Sequence, residues 1–283
     1  MSEHAHRSLG ADPAVIATAL AIGHDAPVIA DASFAIPTAS VTAVIGPNGS
    51  GKSTLLNAIA GLLEPMHGSL EVLGRRPKQA QTDVSYVLQG TAITPGVPIT
   101  VRQTVRMARY ATTGPLGRWR QRDRDLVASA MRQLDIDSLD RRHLSELSGG
   151  QRQRVFVAQA VAQDHAMLLM DEPLTGLDLN SARTIDELIH AESERGCTVI
   201  ITTHDLDEAR AAQHVLLLGA GQVISGPPAQ VLTTANLTRA YGLGTRHPTH
   251  PIDTHPPTAH HEEVDRADRQ VPSQRTSSAY DPF

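Results

Sequence analysis

The stretch that decides the fold of this chain is Gly46-Pro47-Asn48-Gly49-Ser50-Gly51-Lys52-Ser53. It follows the apolar run Val41–Ile45 and precedes a segment with helical spacing, which is the context a phosphate-binding loop needs. Its glycines let backbone N–H groups turn inward around phosphates, and the start of the following helix adds a favourable dipole. The stretch therefore predicts a nucleotide site built on a P-loop.

Each residue type in this loop predicts a contact with a nucleoside triphosphate. Lys52 is expected to reach the β- and γ-phosphates as a point charge, Ser53 to bind Mg²⁺ through its hydroxyl, and Thr54 to support the α-phosphate. A nucleoside triphosphate and Mg²⁺ are therefore the expected ligands. The predicted nucleotide-binding residues of the loop are Gly46, Pro47, Asn48, Gly49, Ser50, Gly51, Lys52, Ser53 and Thr54.

A second apolar run ends in two carboxylates. Met167–Met170 reads as a buried strand, and Asp171 and Glu172 follow it directly. Strands of this kind deliver their terminal residues to the crevice at the carboxyl edge of a sheet. Asp171 is expected to hold Mg²⁺ together with Ser53, and Glu172 to orient or deprotonate the attacking water.

The stretch Leu147-Ser148-Gly149-Gly150-Gln151 opens another predicted helix, and its two glycines allow close approach of an anion to the backbone. The chain thus has two phosphate-binding helix starts and one set of catalytic carboxylates. The economical arrangement is a head-to-tail dimer. In it, Ser148, Gly149, Gly150 and Gln151 of one subunit close over the γ-phosphate held by the other. A double site within one chain is the alternative.

The pattern of apolar residues predicts one folded domain from residue 14 to residue 244. Strand signals such as Val15-Ile16-Ala17 precede the P-loop and indicate an antiparallel β layer. Residues from about 90 to 165 read as helices, and strand signals return after them. The predicted class is α/β: a P-loop NTPase with a mixed, largely parallel sheet, an N-terminal antiparallel β layer and an inserted helical subdomain.

Composition excludes several classes of protein. The 283-residue chain has a net charge of −5, which gives no electrostatic support for a nucleic-acid partner. Its one cysteine, Cys197, rules out an internal disulfide framework, and the apolar neighbours predict a buried structural thiol. The sequence shows no signal peptide, and no stretch approaches the roughly 18 apolar residues of a membrane-spanning helix. A role in transport would therefore require another chain to cross the bilayer.

The two ends of the chain differ from the part between them. Residues 1–13 are expected to be flexible. Residues 245–283 are rich in proline and poor in large apolar side chains, so this tail cannot offset its ordering entropy and is expected to be disordered. It carries histidines beside acidic residues, a composition that suits Zn²⁺, and a polar tail that binds no metal is the alternative. The possible zinc ligands are His247, His250, His255, His260 and His261.

Taken in order, the P-loop, the LSGGQ segment and the strand ending in Asp171 and Glu172 resemble the ATP-binding subunit of ABC transporters, over residues 14 to 244. Three further residues match the motifs of that family: Gln89, Asp178 and His204. The resemblance implies that Gln89 contacts Mg²⁺ or water and that His204 donates to a γ-phosphate oxygen. It also places Asp178 at the dimer interface. The predicted catalytic residues are then Glu172, His204, Gln89 and Lys52, and the predicted Mg²⁺ ligands are Ser53, Gln89 and Asp171.

One position departs from the family pattern. The family usually stacks adenine on an aromatic residue, often tyrosine, near the end of the first strand. The residue that aligns best here is His24, which has a smaller ring. His24 is therefore the predicted adenine contact, and a modest preference for ATP over GTP is expected.

The segments Val97–Arg102 and Met107–Tyr110 lie where the family docks its permease, and they are similar to the branch that imports zinc, manganese or iron(II). The resemblance implies a second copy of the chain or a homologous ATPase, a polytopic membrane permease and an extracytoplasmic substrate-binding protein as partners. It implies a cytoplasmic location on the inner face of the membrane. The alternatives are an ABC transporter of another substrate and a soluble ABC ATPase acting on a macromolecular scaffold such as iron–sulfur assembly.

Overall fold

A computed structural model describes residues 13–89, 98–114 and 118–242. Within them the strands form two sheets. The strands are β1 (Val15–Gly23), β2 (Pro27–Ile36), β3 (Val41–Ile45), β4 (His67–Val72), β5 (Val84–Val87), β6 (Met167–Asp171), β7 (Thr198–Thr203), β8 (His214–Gly219) and β9 (Gln222–Gly226). The helices are α1 (Lys52–Ile59), α2 (Pro77–Ala80), α3 (Val101–Met107), α4 (Tyr110–Thr113), α5 (Gln121–Gln133), α6 (Gly149–Val161), α7 (Leu179–Glu194), α8 (Leu206–Ala211), α9 (Pro228–Val231) and α10 (Thr234–Tyr241).

The larger sheet has the strand order β5-β6-β7-β3-β8-β9 and is parallel except for the β8–β9 pair. Its inner strands are apolar on both faces, as in the VTAVI sequence of β3, because helices or strands cover the sheet on each side. Strands β5, β6, β7 and β3 run in the same direction. Their carboxyl ends therefore meet at one edge, which is where a P-loop protein binds its ligand.

The smaller sheet is antiparallel, with the order β2-β1-β4. It packs with α1 against one face of the parallel sheet, and the helices α3, α5, α6 and α7 pack against the other. Alternate residues of β3 point into the two cores: Val44 lies in the first, and Ala43 and Ile45 lie in the second. This arrangement fixes β3 and the loop after it from both sides.

Local signals account for the helices that carry the predicted motifs. Ser148 caps α6 through a capping box with Gln151, and Asp178 caps α7 by accepting a hydrogen bond from the Ser181 backbone N–H. On α7 the buried positions Ile185, Leu188 and Ile189 follow the helical repeat. Both helices therefore start at a residue of a predicted functional motif.

The predicted fold class is confirmed: a mixed α/β core with an antiparallel β layer in front of a mostly parallel sheet. Helices α3 to α6 separate β5 from β6, in the part of the chain predicted to hold a helical insertion. Most of the predicted flexible N-terminus, the histidines of the tail and position 97 of the predicted docking segment lie outside the described residues.

Candidate nucleotide-binding site

The P-loop joins β3 to α1 and wraps around the ammonium group of Lys52. Gly51 caps α1 at a φ of 98°, a conformation that glycine adopts without strain. Lys52 is buried, and its Nζ donates hydrogen bonds to the carbonyl oxygens of Gly46 (2.9 Å) and Pro47 (3.2 Å). Burial lowers the pKa of Lys52, while the nearby charges of Glu172 and Asp171 oppose that change.

Gly46 shows why the loop requires glycine at its first position. A Cβ atom at Gly46 would collide with the backbone carbonyl oxygen of Leu218 on β8 and approach Oγ of Ser50 to 2.8 Å. Because a backbone carbonyl cannot rotate away as a side chain can, any larger residue would displace β3 from β8. The glycine therefore allows the close strand packing that positions the loop.

Asp171 ends β6 and Glu172 follows it at the same edge of the sheet. Both residues are held by Thr202 of the neighbouring strand β7, whose Oγ1 donates to Oδ1 of Asp171 and accepts a 2.8 Å hydrogen bond from the Glu172 N–H. Glu172 has a φ of +49°, in the left-handed region that non-glycine residues rarely occupy. Strain of this kind persists where surrounding contacts impose it, and here it directs the Glu172 side chain toward the P-loop side of the edge.

Two predicted catalytic side chains approach one oxygen of a third, Glu172. Nε2 of Gln89 donates a 2.8 Å hydrogen bond to Oε2 of Glu172, and Nδ1 of His204 lies 4.0 Å from the same oxygen. Glu172 is largely buried, whereas the imidazole of His204 is 61% exposed and free to turn toward a ligand. The carboxylate is thus held by an amide on one side and has a polar group on the other.

These side chains line a cleft of about 730 Å³, a size that suits a nucleotide. Its walls are formed by Val28, Asn48, Gly49, Gly51, Lys52, Ser53, Thr54, Gln89, Glu172 and His204. Most of the predicted P-loop contacts therefore share one cleft with the predicted base. Asp171 lies behind Glu172 and is 4% exposed. Gly46, Pro47 and Ser50 do not line the cleft. The carbonyl oxygens of Gly46 and Pro47 accept the hydrogen bonds of Lys52.

His24 does not line this cleft. It is exposed in the connection between β1 and β2, whereas Val28 on β2 lies beside Gly51 and forms part of the wall. Alignment by motif missed Val28. The sequence signal for Val28 is an apolar residue near the start of a predicted strand. The distance between that strand and the P-loop depends on how the two sheets pack, so the signal alone did not identify Val28.

The signature residues occupy another part of the surface. Gly150 on α6 lies directly against Asp178 and Ser181 on α7, so that a Cβ atom at Gly150 would overlap both side chains. Hydrogen bonds from the backbone and hydroxyl of Ser181 lower the pKa of Asp178. Ser148, Gly149, Gly150 and Gln151 are not among the residues that line the cleft. This separation is what a site shared between two chains requires.

The fold and the cleft define a P-loop ATPase in which the predicted signature residues at the start of α6 lie outside the cleft. Comparison with known sequences identifies its family: a sequence model described as ABC transporter matches residues 29–175, more than half of the chain. The chain belongs to the family of ABC transporter ATP-binding proteins, and the resemblance read from the motifs is confirmed. It is a nucleotide-binding, ATP-hydrolysing subunit of a family that works as dimers with membrane permease components.

Two curated relatives illustrate the similarity. The manganese transport system ATP-binding protein MntB of Bacillus subtilis (strain 168) is 36% identical over 77% of this chain and 88% of its own length. The zinc transport system ATP-binding protein TroB of Treponema pallidum (strain Nichols) is 38% identical over 76% of this chain and 82% of its own.

A solved structure agrees with them. It is an inward-facing ABC transporter described as of the metal-chelate type, and it matches with a TM-score of 0.71 at 28% identity. The match covers 81% of this chain and 89% of the other. Among the described residues of the present chain, no helix is long and apolar enough to cross a membrane.

Proposed function

We propose that this protein dimerises on binding ATP and powers a separate membrane permease that imports a divalent transition metal. The hydrogen bond between Gln89 and Glu172 carries the ATPase part of the proposal, because the amide of Gln89 contacts a carboxylate oxygen of the predicted base at the nucleotide cleft. Gln89 lies two residues after β5 and Glu172 directly follows β6, so a change at Glu172 would reach the segment that follows Gln89.

In the proposed reaction, Glu172 accepts a proton from the water that attacks the γ-phosphate. Lys52 binds the β- and γ-phosphates, and the exposed imidazole of His204 donates to a γ-phosphate oxygen. The oxygen donors of Ser53, Gln89 and Asp171 suit Mg²⁺, which would neutralise phosphate charge when bound. Gln89 then holds Glu172 in the orientation that the attack on phosphorus requires.

The second half of the site would come from a partner ATPase, either a second copy of the chain or a homologue. The start of α6 presents Ser148 and the N–H groups of Gly149 and Gly150 to an anion, and Gln151 fixes that start through the capping box. Asp178 at the start of α7 lies against Gly150, so the two predicted interface elements move as one unit. ATP would hold two such units together, and loss of the γ-phosphate would release them.

The permease would dock beside the helical insertion. Large apolar side chains are exposed there and after β5: Leu88 is 57% exposed, Met107 45% and Tyr110 48%. Exposed apolar side chains that form one patch often mark a surface that binds another protein. This surface would place the chain on the cytoplasmic side of the membrane, beneath a polytopic partner.

The cargo is inferred from the relatives. Their names assign manganese to MntB and zinc to TroB, and the matched structure is of the metal-chelate type. The histidines of the tail are an independent sequence feature that suits a divalent metal. An importer of this kind would also use an extracytoplasmic substrate-binding protein.

Uptake of radioactive zinc or manganese by cells tests this function. Cells carrying Glu172→Gln in place of the normal protein should lose ATP-dependent accumulation of the cargo metal, while the variant still binds ATP. Glu187→Gln is the matched control, because Glu187 is exposed on α7 and pairs only with Arg183 among the described residues. Unchanged metal uptake with Glu172→Gln, or co-purification with a soluble scaffold in place of a membrane protein, would contradict the proposal.

A further inference from the structure

A second cluster of functional side chains lies apart from the nucleotide cleft. His165 follows α6, Glu192 lies near the end of α7, and Cys197 precedes β7. Their nitrogen, oxygen and sulfur atoms all lie within 4.8 Å of one another. The His165 and Glu192 side chains are each 1% exposed, and Cys197 is 6% exposed. Three side chains of the types that bind transition metals thus converge in the protein interior.

The His165 ring is oriented as a metal ligand would be. Its Nδ1 lies 3.2 Å from the carbonyl oxygen of Ala160, which accepts a hydrogen bond when Nδ1 carries the proton. Nε2 is then an acceptor. Nε2 lies 3.6 Å from Oε2 of Glu192 and is buried. It has no hydrogen-bond partner among the described residues. Metal-binding histidines are held in this way, with one nitrogen fixed by a backbone carbonyl and the other left for the metal.

Glu192 is also oriented by a neighbour. Its Oε1 accepts a hydrogen bond from the Arg195 guanidinium, which leaves Oε2 facing His165. Sγ of Cys197 lies 3.6 Å from the carbonyl oxygen of Thr198. The side chains of His165 and Glu192 are thus each oriented by a second interaction, and Sγ of Cys197 lies within 4.8 Å of the ligand atoms of both.

A cavity of about 270 Å³ adjoins the cluster, between α5 and the end of α7. Its walls include His165, Glu192 and Cys197 together with Ser129 and Gln133 of α5. A cavity of this size admits several water molecules, so one could complete a coordination shell. The partly open form of the cavity gives a cation a path from solvent to the three side chains.

We propose that His165, Glu192 and Cys197 form a binding site for a divalent transition metal, with Zn²⁺ as the best match. One imidazole, one carboxylate and one thiolate, with a water molecule in the fourth position, are a donor set that tetrahedral Zn²⁺ accepts. Zn–ligand bonds of about 2.0–2.3 Å place neighbouring ligand atoms roughly 3.3–3.8 Å apart. The 3.6 Å separation of Nε2 of His165 and Oε2 of Glu192 already falls in that range.

The site would join elements that carry the ATPase motifs. Helix α6 begins at the signature residues and α7 begins at Asp178, and these starts are in contact through Gly150. Glu192 lies near the other end of α7, and His165 lies four residues after the other end of α6. A bound cation would therefore link the ends of these helices that are remote from Gly150, and its occupancy would depend on the metal concentration around the ATPase. The proposal does not depend on the identity of the cargo.

Cobalt(II) binding to the purified full-length protein tests the site directly. Co²⁺ replaces Zn²⁺ in tetrahedral sites, and thiolate ligation produces a charge-transfer absorption in the near ultraviolet. Cys197 is the one cysteine of the chain, so the tail histidines and the nucleotide site cannot produce that absorption. Titration of wild type should give the band at about one equivalent of Co²⁺, and Zn²⁺ should remove it.

Variants assign the ligands. Cys197→Ser should abolish the band, and His165→Gln and Glu192→Gln should each weaken Co²⁺ binding by about tenfold or more. His190→Gln is the control, because His190 lies on α7 two residues from Glu192 but is exposed and outside the cluster. Circular dichroism and ATP binding establish that each variant is folded. Absence of the band in wild type would overturn the proposal, as would a band of unchanged affinity in both His165→Gln and Glu192→Gln.

Discussion

The side-chain amide of Gln89 donates a 2.8 Å hydrogen bond to Oε2 of Glu172, joining the residue beyond β5 to the residue beyond β6. These two strands are neighbours in the parallel sheet, paired from Val84 with Met167 to Val87 with Met170. The bond therefore connects two rigid elements at the edge where the nucleotide binds. In the proposed mechanism, this bond would let a change at Glu172 alter the position of Gln89.

Removing this bond should slow hydrolysis without removing the base. We expect Gln89→Leu to lower kcat on the order of tenfold or more, because Glu172 loses the group that orients it, while the affinity for ATP without Mg²⁺ changes little. Steady-state kinetics and equilibrium ATP binding without Mg²⁺ measure the two effects separately. An unchanged kcat in Gln89→Leu would show that Gln89 does not position Glu172.

Gln89→Glu should change the pH dependence of the same reaction. The substitution places a second carboxylate at hydrogen-bond distance from Glu172, and two carboxylates sharing a site retain one proton to higher pH. The acid limb of the kcat/KM profile should therefore move to higher pH in Gln89→Glu and stay in place in Gln89→Leu. Identical profiles for wild type and Gln89→Glu would mean that the two side chains are apart in the working enzyme.

Gly150→Ala should destabilise the fold even in the monomer. A methyl group at Gly150 would overlap Oδ2 of Asp178 and reach Oγ of Ser181 at 2.5 Å, so α6 and α7 would have to separate. Overpacking of this kind costs about 1–3 kcal/mol of the free energy of unfolding. Urea denaturation of the two proteins measures the difference.

Gly149→Ala is the matched control for that measurement. It changes the adjacent residue of the same helix, where a Cβ atom would meet nothing within 4 Å. Its free energy of unfolding should stay within about 0.5 kcal/mol of wild type. Equal stability of the two variants would contradict the close contact between Gly150 and Asp178.

The ion pair between Arg109 and Asp123 should stabilise the helical insertion. Nε of Arg109 lies 3.0 Å from Oδ1 of Asp123, the side chains are 7% and 6% exposed, and the guanidinium also binds the carbonyl oxygens of Ala162 and Gln163. Asp123→Asn would remove the carboxylate charge from this buried ion pair. We expect a loss of roughly 3 kcal/mol in the free energy of unfolding at neutral pH.

The ion pair of Arg109 and Asp123 should make the free energy of unfolding depend on pH in the acid range. The Arg120 backbone N–H and the Arg109 guanidinium lower the pKa of Asp123, so its contribution is fully present above the ordinary carboxyl pKa of about 3.9. That contribution is lost as the pH falls through the lower folded-state pKa. The difference in the free energy of unfolding between wild type and Asp123→Asn should therefore shrink as the pH falls from the ordinary carboxyl pKa through the folded-state pKa of Asp123. Asp125→Asn, at an exposed position of α5, is the control and should change stability little at any pH.

Nucleotide selectivity should be weak. Val28 is the side chain that borders Gly51 on the cleft wall, and an isopropyl group has no donor or acceptor with which to distinguish adenine from guanine. Apolar contacts discriminate by far smaller factors than hydrogen bonds do. We expect the dissociation constants of ATP and GTP to lie within about tenfold of each other in competition binding. A hundredfold preference for ATP would show that another group reads the base.

The sequence predicted the parts of the site that depend on local order. The P-loop, the strand before Asp171 and the helix start at Ser148 are contiguous motifs, so their residues act close to where they lie in the chain. Their relative placement followed from the rule that parallel strands end at one edge. The fold class could be predicted for the same reason, because the alternation of strand and helix signals leaves few topologies.

Contacts between distant segments could not be predicted in this way. The adenine contact of His24 stays a prediction, and Val28 forms part of the cleft wall because the distance from β2 to the P-loop depends on how the two sheets pack. Thr202 has no motif of its own, and its support of Asp171 depends on the register of β7 against β6. The cluster of His165, Glu192 and Cys197 joins three elements, and the sequence alone indicated only a buried structural thiol at Cys197.

The mass of the Glu172→Gln variant in solution tests the central claim most directly, because that claim is that one triphosphate is bound by Lys52 of one chain and Ser148 of another. Analytical ultracentrifugation should show a monomer without nucleotide and a dimer with saturating Mg-ATP. The double variant with both Glu172→Gln and Ser148→Arg should bind ATP but remain monomeric with saturating Mg-ATP. A Glu172→Gln protein that stays monomeric when saturated with Mg-ATP, even together with its membrane component, would contradict the account.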